Sequence, residues 1–243
     1  MSRVIVPFTG AGISTESGVP DFRTPGSPWT QNRPIPFQAF VASAEARREA
    51  WTRKFRMDRH FAGVAPNVGH LALTRLVADG RCPAIVTQNI DGLHQAAGVP
   101  QEKIVELHGN GTYAACLDCG ERHELATIES HFERHGHAPA CIHCAGLLKS
   151  ATISFGQSMP QGEMARAQEL MARCDLCLVL GSSLVVFPAA ALPLAAKRQG
   201  AKLAIVNREP TELDEIADCV VRGGIGEVLA QVLGLDTTMS TGA

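Results

Sequence analysis

Residues 9–23 read TGAGISTESGVPDFR. The apolar run Arg3-Val-Ile-Val-Pro-Phe8 leads straight into them, so the stretch predicts a strand followed by a glycine-rich turn. Gly10 and Gly12 would let backbone N–H groups approach a diphosphate, and the helix N-terminus that follows would add a favourable dipole. The common dinucleotide fingerprint needs a third glycine, and Thr15 stands in its place. A polar run ending Asp21-Phe22-Arg23 follows instead. That spacing argues against a hydride-transferring dehydrogenase.

Outward from this loop, short apolar runs predict further buried strands at 84–87, 103–106, 176–180 and 203–206. Helical patterns lie between them, over 68–79, 160–173 and 187–199. In the first, Leu71, Leu73, Leu76 and Val77 fall roughly on one face. Strand and helix alternate, which predicts an α/β fold, a Rossmann-like parallel sheet. Two stretches break the rhythm: 24–66, ending in a charged helix near 44–62, and 112–150, which holds five of the nine histidines. They are expected to be insertions that together build a smaller helical and zinc-ribbon domain. The expected division is 1–28, 67–111 and 151–236 for the Rossmann-like unit, 29–66 and 112–150 for the small one, and 237–243 as a tail. Ligands of open α/β sheets bind beyond the carboxyl ends of the strands, so the cleft between the two units is the expected site.

Composition narrows the classes. A formal net charge of −2 gives no global basic field for nucleic acid. The basic group Arg47, Arg48, Arg53, Lys54, Arg56 and Arg59 reads as a solvated helix face. No apolar run is long enough for a membrane span, and no leader pattern precedes the first strand, so the expected location is cytoplasmic.

Among eight cysteines, Cys116-Leu-Asp-Cys119 and Cys141-Ile-His-Cys144 form two pairs separated by 21 residues. That is close to the ribbon spacing that holds zinc tetrahedrally. Four thiolates leave no open position, so the expected zinc is structural. His123 and His143 stand nearby as alternative ligands, and Gly120 and Gly146 are expected to supply the bends.

Four predicted strands end in polar groups: Gly10-Ala11-Gly12, Thr87-Gln88-Asn89-Ile90-Asp91, Gly181-Ser182-Ser183, and Asn207-Arg208-Glu209. Glycine and serine suit a phosphate or ribose. Glu209 or Asn207 suits ribose hydroxyls. The amides and carboxylate of 88–91 suit a carboxamide and a ribose together. His108 follows the strand at 103–106 and is the natural general base near neutral pH. His70 and His94 have weaker claims.

Taken in order, Gly-Ala-Gly-Ile-Ser…Gly-Val-Pro-Asp-Phe-Arg (10–23), Thr-Gln-Asn-Ile-Asp-Gly-Leu-His (87–94), His108-Gly109, the four cysteines, Phe155-Gly156, Gly-Ser-Ser-Leu-Val-Val-Phe-Pro-Ala (181–189) and Val206-Asn207 resemble the sirtuins, NAD-dependent protein lysine deacylases. The motifs occur in family order and cover roughly 4–234. The resemblance implies that NAD is consumed as co-substrate, with acetyl-lysine proteins or peptides as partners. It places Gly10, Ala11, Gly12, Ser14, Asp21 and Arg23 around the diphosphate and ribose. Phe22 would shield the reactive sugar carbon. Asn89, Ile90 and Asp91 would hold the carboxamide, and Gln88 the nearby ribose. Gly181, Ser182, Ser183, Asn207, Glu209 and Ile225 would bind the adenosine half. His108 would be the base, with Asn89 and Phe22 beside the reacting centre. The peptide would pair as an added strand between Ser154-Phe155-Gly156 and Val185-Val186.

Three departures from the family pattern are visible. Gln157 replaces the usual glutamate after Phe-Gly, and Ser150 stands where a proline is common. Lys54 and Met57 occupy the places of the Tyr-x-x-Arg pair that reads acidic acyl groups, so succinyl- and malonyl-lysine are disfavoured. The chain starts only a few residues before its first strand. An ADP-ribosyltransferase or NAD hydrolase on the same scaffold, and a non-catalytic zinc-ribbon module, are the competing readings.

Overall fold

The computed structural model describes residues 4–21 and 34–235. Its larger sheet holds β1 (Ile5–Thr9), β2 (Ile85–Thr87), β3 (Ile104–Glu106), β7 (Leu176–Leu180), β8 (Lys202–Val206) and β9 (Cys219–Val221). Their spatial order is β3-β2-β1-β7-β8-β9, and every neighbouring pair runs parallel. Numbered within this sheet alone, that is the 3-2-1-4-5-6 order of the dinucleotide-binding fold, with its switch point between β1 and β7.

Side-chain alternation explains why these strands read as unbroken apolar runs. Val6 and Phe8 face one core cluster while Ile5 faces another; Cys177 and Val179 separate from Leu180 in the same way. Both faces are therefore covered. Helices α3 (Val68–Ala78) and α8 (Ile225–Leu233) pack one side through Leu73, Leu76, Ile225 and Leu229. Helices α6 (Gln161–Arg173) and α7 (Ala191–Arg198) pack the other through Ala167, Met171, Leu192 and Ala196.

Two expectations need correction. Leu71 is exposed, and the buried face of α3 is His70, Ala72, Leu73 and Leu76. The 3.6-residue repeat turns Leu71 away from the row set by 70, 73 and 76. The helix expected from 187 begins at Ala191, because Val186–Ala190 forms a turn closed by Ala190 N–H on the Val186 carbonyl at 2.9 Å.

The smaller lobe contains β4 (Gly109–Cys116), β5 (Arg122–His123) and β6 (Leu148–Thr152), an antiparallel sheet in the order β5-β4-β6. Helices α1 (Phe37–Ala42), α2 (Ala44–His60) and α5 (Leu125–His135) accompany it; α4 (Leu93–Ala96) follows β2 in the larger unit. Ser43 caps α2 by accepting from Ala46 N–H at 3.2 Å. Trp51 and Phe55, one turn apart on α2, stack at 5.3 Å and share a core with Ala114, Cys116, Ile128, Cys141 and Leu148. The two insertions thus pack on each other.

Candidate active site

The switch point places Gly10 after β1 against Gly181 after β7. Gly10 N–H donates to Leu180 O at 3.0 Å and Gly12 N–H to Gly181 O at 2.8 Å. A Cβ on Gly12 would stand 2.6 Å from Gly181 Cα, and one on Gly10 would stand 2.7 Å from Gly181 O. Gly181 has φ of 63°, and a Cβ there would meet Ile13 N at 2.4 Å. The glycines are required because two loops interlock backbone to backbone. The N–H groups of Gly10 and Gly12 are spent on the chain, so the expected reason for these glycines, free N–H groups aimed at a diphosphate, is replaced by close packing. The turn that follows is a 3-10 helix, Ala11–Ser17, and Asn67 braces it by donating to Ile13 O at 2.7 Å and Ser17 Oγ at 2.9 Å.

Beside this floor, residues 88–91 make a connected set. Asn89 donates through Nδ2 to Gly10 O at 3.1 Å and Ser14 Oγ at 3.2 Å, and Ser14 Oγ donates to Asp91 Oδ2 at 2.7 Å. Ser14 is fully buried, so its hydroxyl orients Asn89 and Asp91 from beneath. Asp91 also caps α4, accepting from Leu93 N–H at 3.0 Å. The Ile90 carbonyl accepts from Gly111 N–H at 2.7 Å, which ties this loop to β4. Gln88 reaches across the switch point, donating through Nε2 to Ser182 Oγ at 2.8 Å. Its carbonyl oxygen lies 3.0 Å from His108 Nδ1. A carbonyl only accepts, so Nδ1 carries the hydrogen and Nε2 keeps the lone pair of a base. Burial holds the His108 pKa below its ordinary value, against the opposing pull of the Gln88 carbonyl. His108 is therefore neutral and basic at Nε2 near neutral pH.

Gly12, Asp21, Gly181, Asn207, Glu209 and Ile225 line one cleft, joined by Thr15, Glu16, Arg208 and Gly223. Sequence reasoning gave none of these four a role at the cleft, although Arg208 stood within the polar group 207–209. Asn207 Nδ2 donates to Glu209 O at 2.7 Å and shapes the loop that carries Glu209. Arg208 brings a cation to the cleft and Glu209 a carboxylate, and Ser183, two residues after Gly181, is part-exposed. An anion partner together with hydroxyl acceptors is the donor set a dinucleotide needs, so these residues fit NAD. Phe22 and Arg23 lie outside the described residues.

The segment expected to hold peptide is anchored to the base. Ile153 N–H donates to His108 O at 2.8 Å. Gln157 closes a turn by donating its N–H to Ser154 O at 2.9 Å while its Oε1 accepts from Ser154 N–H at 3.2 Å. Phe155 and Gly156 are exposed at the tip of that turn, and Phe37 N–H holds Phe155 O at 3.0 Å. Val185 and Val186 are also exposed, after Leu184 at φ 57°. Lys149, a buried residue of β6, donates to Ser150 O at 3.3 Å and to Thr152 O. In α2, Lys54 is paired with Asp58.

A second polar layer lies behind the site. Thr9 and Thr87, facing across β1 and β2, share a hydrogen bond of 2.8 Å, and Thr87 Oγ1 accepts from Asn89 N–H at 3.0 Å. His94 Nε2 stands 3.1 Å from Thr9 Oγ1. His70 Nδ1 accepts from Asn67 N–H at 3.3 Å, completing a capping box on α3. The His70 and His94 rings are 5.1 Å apart and buried, and desolvation holds both well below the ordinary imidazole range. These two histidines support the site from inside the fold.

The four cysteine sulfurs lie within 4.8 Å of one another. Cys116 and Cys144 are 3.4 Å apart, and Cys119 and Cys141 3.7 Å. A tetrahedron with zinc–sulfur bonds of about 2.3 Å has edges of about 3.8 Å, so the set fits one zinc. His123 stays outside it, with Nε2 3.3 Å from Cys141 Sγ. The bends differ from expectation: Gly120 has positive φ, but Ala145 at φ 61° makes the second turn. Gly146 is needed for space, since a Cβ there would stand 2.8 Å from Cys116 Sγ.

Residues 10–188 match the Sir2 family. An NAD-dependent protein deacetylase of Rhodopseudomonas palustris is 59% identical over 230 residues, 95% of this chain and 91% of that protein. A solved Sir2 complex with p53 peptide and NAD+ superposes with a TM-score of 0.82 at 37% identity, covering 96% of this chain and 93% of the other. A Sir2 variant with deacetylated p53 peptide and 3'-O-acetyl ADP-ribose gives 0.83 at 35% identity, with the same coverage.

Proposed function

The chain belongs to the Sir2 family, and from that premise we infer that it is an NAD-dependent protein lysine deacetylase acting through His108. NAD supplies the ADP-ribosyl group that takes the acyl chain, and one water is consumed, leaving free lysine, nicotinamide and O-acetyl-ADP-ribose. The observation that carries the residue assignment is the His108–Gln88 contact, which puts the hydrogen on Nδ1 and leaves the lone pair on Nε2, while burial favours the neutral ring. His108 Nε2 takes the proton of a ribose hydroxyl as that oxygen becomes the nucleophile. Asn89 and Asp91, braced by Ser14, hold the carboxamide, and Gln88 orients the ribose. Phe22 and Arg23 lie outside the described residues, and the family resemblance gives them the roles of shielding the reacting carbon and meeting the diphosphate. Ala11, Gly12, Asp21, Gly181, Ser182, Ser183, Asn207, Glu209 and Ile225 receive the diphosphate and adenosine. The acetylated peptide pairs between Ser154-Phe155-Gly156 and Val185-Val186.

The division into a Rossmann-like unit and a zinc-bearing lobe is proposed with the boundaries given above. Among the described residues no helix is long and apolar enough to cross a membrane. A reduced, zinc-bound thiol cluster suits the cytoplasm, where we place the protein.

One incubation tests the reading. Protein, NAD and an acetyl-lysine peptide are mixed, and products are read by mass spectrometry beside a sample without peptide. Equal amounts of deacetylated peptide, nicotinamide and O-acetyl-ADP-ribose are expected. Nicotinamide released equally without peptide would instead assign an NAD hydrolase or ADP-ribosyltransferase.

A further inference from the structure

Helix α5 ends among histidines that the deacetylase chemistry does not use. His131 and His135 are one turn apart on the same face, with ring centroids 4.4 Å apart. The helix stops at Gly136, whose φ of 73° reverses the chain. The reversal brings the His137 ring to 5.3 Å from His131 and 6.1 Å from His135.

Several ring nitrogens here are unspent. His131 Nε2 is buried and has no hydrogen-bond partner. His137 Nδ1 lies 3.0 Å from the Ala138 carbonyl, so Nδ1 carries the hydrogen and Nε2 keeps its lone pair. A backbone carbonyl on one nitrogen is the usual support for a histidine that ligates through the other. Desolvation, then the neighbouring His135, His137 and Arg134, favour neutral His131. Arg134 itself is drawn back along the helix to Ser130 O at 3.0 Å.

We propose that His131, His135 and His137 form a second metal site, separate from the cysteine cluster, for one imidazole-avid divalent ion of the nickel, copper and zinc class. Three imidazoles without a carboxylate select these ions over magnesium or calcium. Unlike the four cysteine sulfurs, the three do not place one nitrogen each within 4.8 Å of the others. His135 and His137 are exposed, so closure onto His131 is a side-chain rotation. That rearrangement lowers the affinity relative to a preformed site. The bound ion would join the end of α5 to the segment that reaches Cys141 four residues after His137.

The test uses the full, untagged chain carrying zinc at its cysteines. Ni2+ alone is titrated by calorimetry, and nickel and zinc are counted by elemental mass spectrometry. One nickel per chain in addition to one zinc is expected. His135→Gln with His137→Gln should weaken nickel binding at least tenfold while zinc stays at one. A His123→Gln, His143→Gln control should bind nickel as the unmodified chain does. The proposal is overturned if no nickel binds beyond the zinc, if the 135/137 variant binds it undiminished, or if only the 123/143 control loses it.

Discussion

Gln88 holds His108 by its backbone carbonyl and Ser182 by its side-chain amide, at 3.0 and 2.8 Å. One residue at the end of β2 therefore sets the tautomer of the base and fixes the loop beyond β7. The backbone contact cannot be removed by changing the Gln88 side chain, whereas the contact to Ser182 can. Binding and base strength are separable at this position.

Replacing His108 with Ala should lower deacetylation by about 10²–10⁴-fold and leave the thermal melt unchanged. In the unmodified protein, activity should persist to lower pH than a free imidazole allows, then fall as His108 protonates at its lowered pKa. Steady-state rates across pH check both. Near-normal turnover by the variant would remove His108 from the base role.

Acid should destabilise the fold before carboxylates titrate. His70 and His94 both sit below their ordinary 6.5, mainly by desolvation. As pH falls through 6.5 the unfolded chain binds protons that the folded chain refuses. Stability is then full above 6.5 and is lost as pH falls from there toward the folded values of about 4 for His70 and about 3 for His94, by roughly 1.4 kcal/mol for each pH unit and each histidine. Denaturant midpoints measured against pH should show this slope, and His94→Gln should flatten it. An unchanged slope would mean the pair protonates freely in the native state.

Cys141→Ser should lose zinc and loosen the small lobe, because Cys141 shares its core with Trp51 and Phe55. Elemental analysis and Trp51 fluorescence read the two effects. A zinc-free variant with full activity and native fluorescence would contradict the structural role.

Gly181→Ala should cost roughly 1–3 kcal/mol and most of the activity, since its Cβ would meet Ile13 N in a left-handed backbone. Gly200→Ala also has positive φ, but a Cβ there meets nothing. Unfolding and turnover of the two variants side by side separate backbone strain, present in both, from collision, present only at 181.

Succinyl-lysine peptide should react with kcat/KM at least about tenfold below acetyl-lysine peptide, because an acid buried without a cation is costly. Lys54 is committed to Asp58, so Lys54→Met should leave that ratio as it is. A ratio that moves with Lys54 would place its ammonium in the acyl pocket.

Five of the six strands of the large sheet were legible from short apolar runs, as in Leu176–Leu180, which suit a sheet covered on both faces; β9, three residues long and partly exposed, was not. β4 was not, since GNGTYAAC mixes glycine with alternating burial and breaks register between Gly109 and Ala114. Cys116, Cys119, Cys141 and Cys144 were legible from spacing alone, and their sulfurs converge. His108 could be singled out by its place after β3, but its tautomer depends on Gln88, 20 residues away. Thr9 and Thr87 gave no signal, because two threonines 78 residues apart mean nothing until β1 and β2 pair. The true reason for Gly10 and Gly12 was likewise hidden, since it is the shape of a partner loop 170 residues on.

That interlock of Gly10 and Gly12 with Gly181 bears on protein engineering. Neither loop is an independent cassette: each is the mould in which the other is cast. A chimera that imports residues 10–18 from a relative while keeping 181–184 inherits a mismatch at backbone level, which no side-chain redesign repairs. Grafts that move both loops together should fold and turn over, whereas single-loop grafts of equal sequence divergence should be recovered as inclusion bodies.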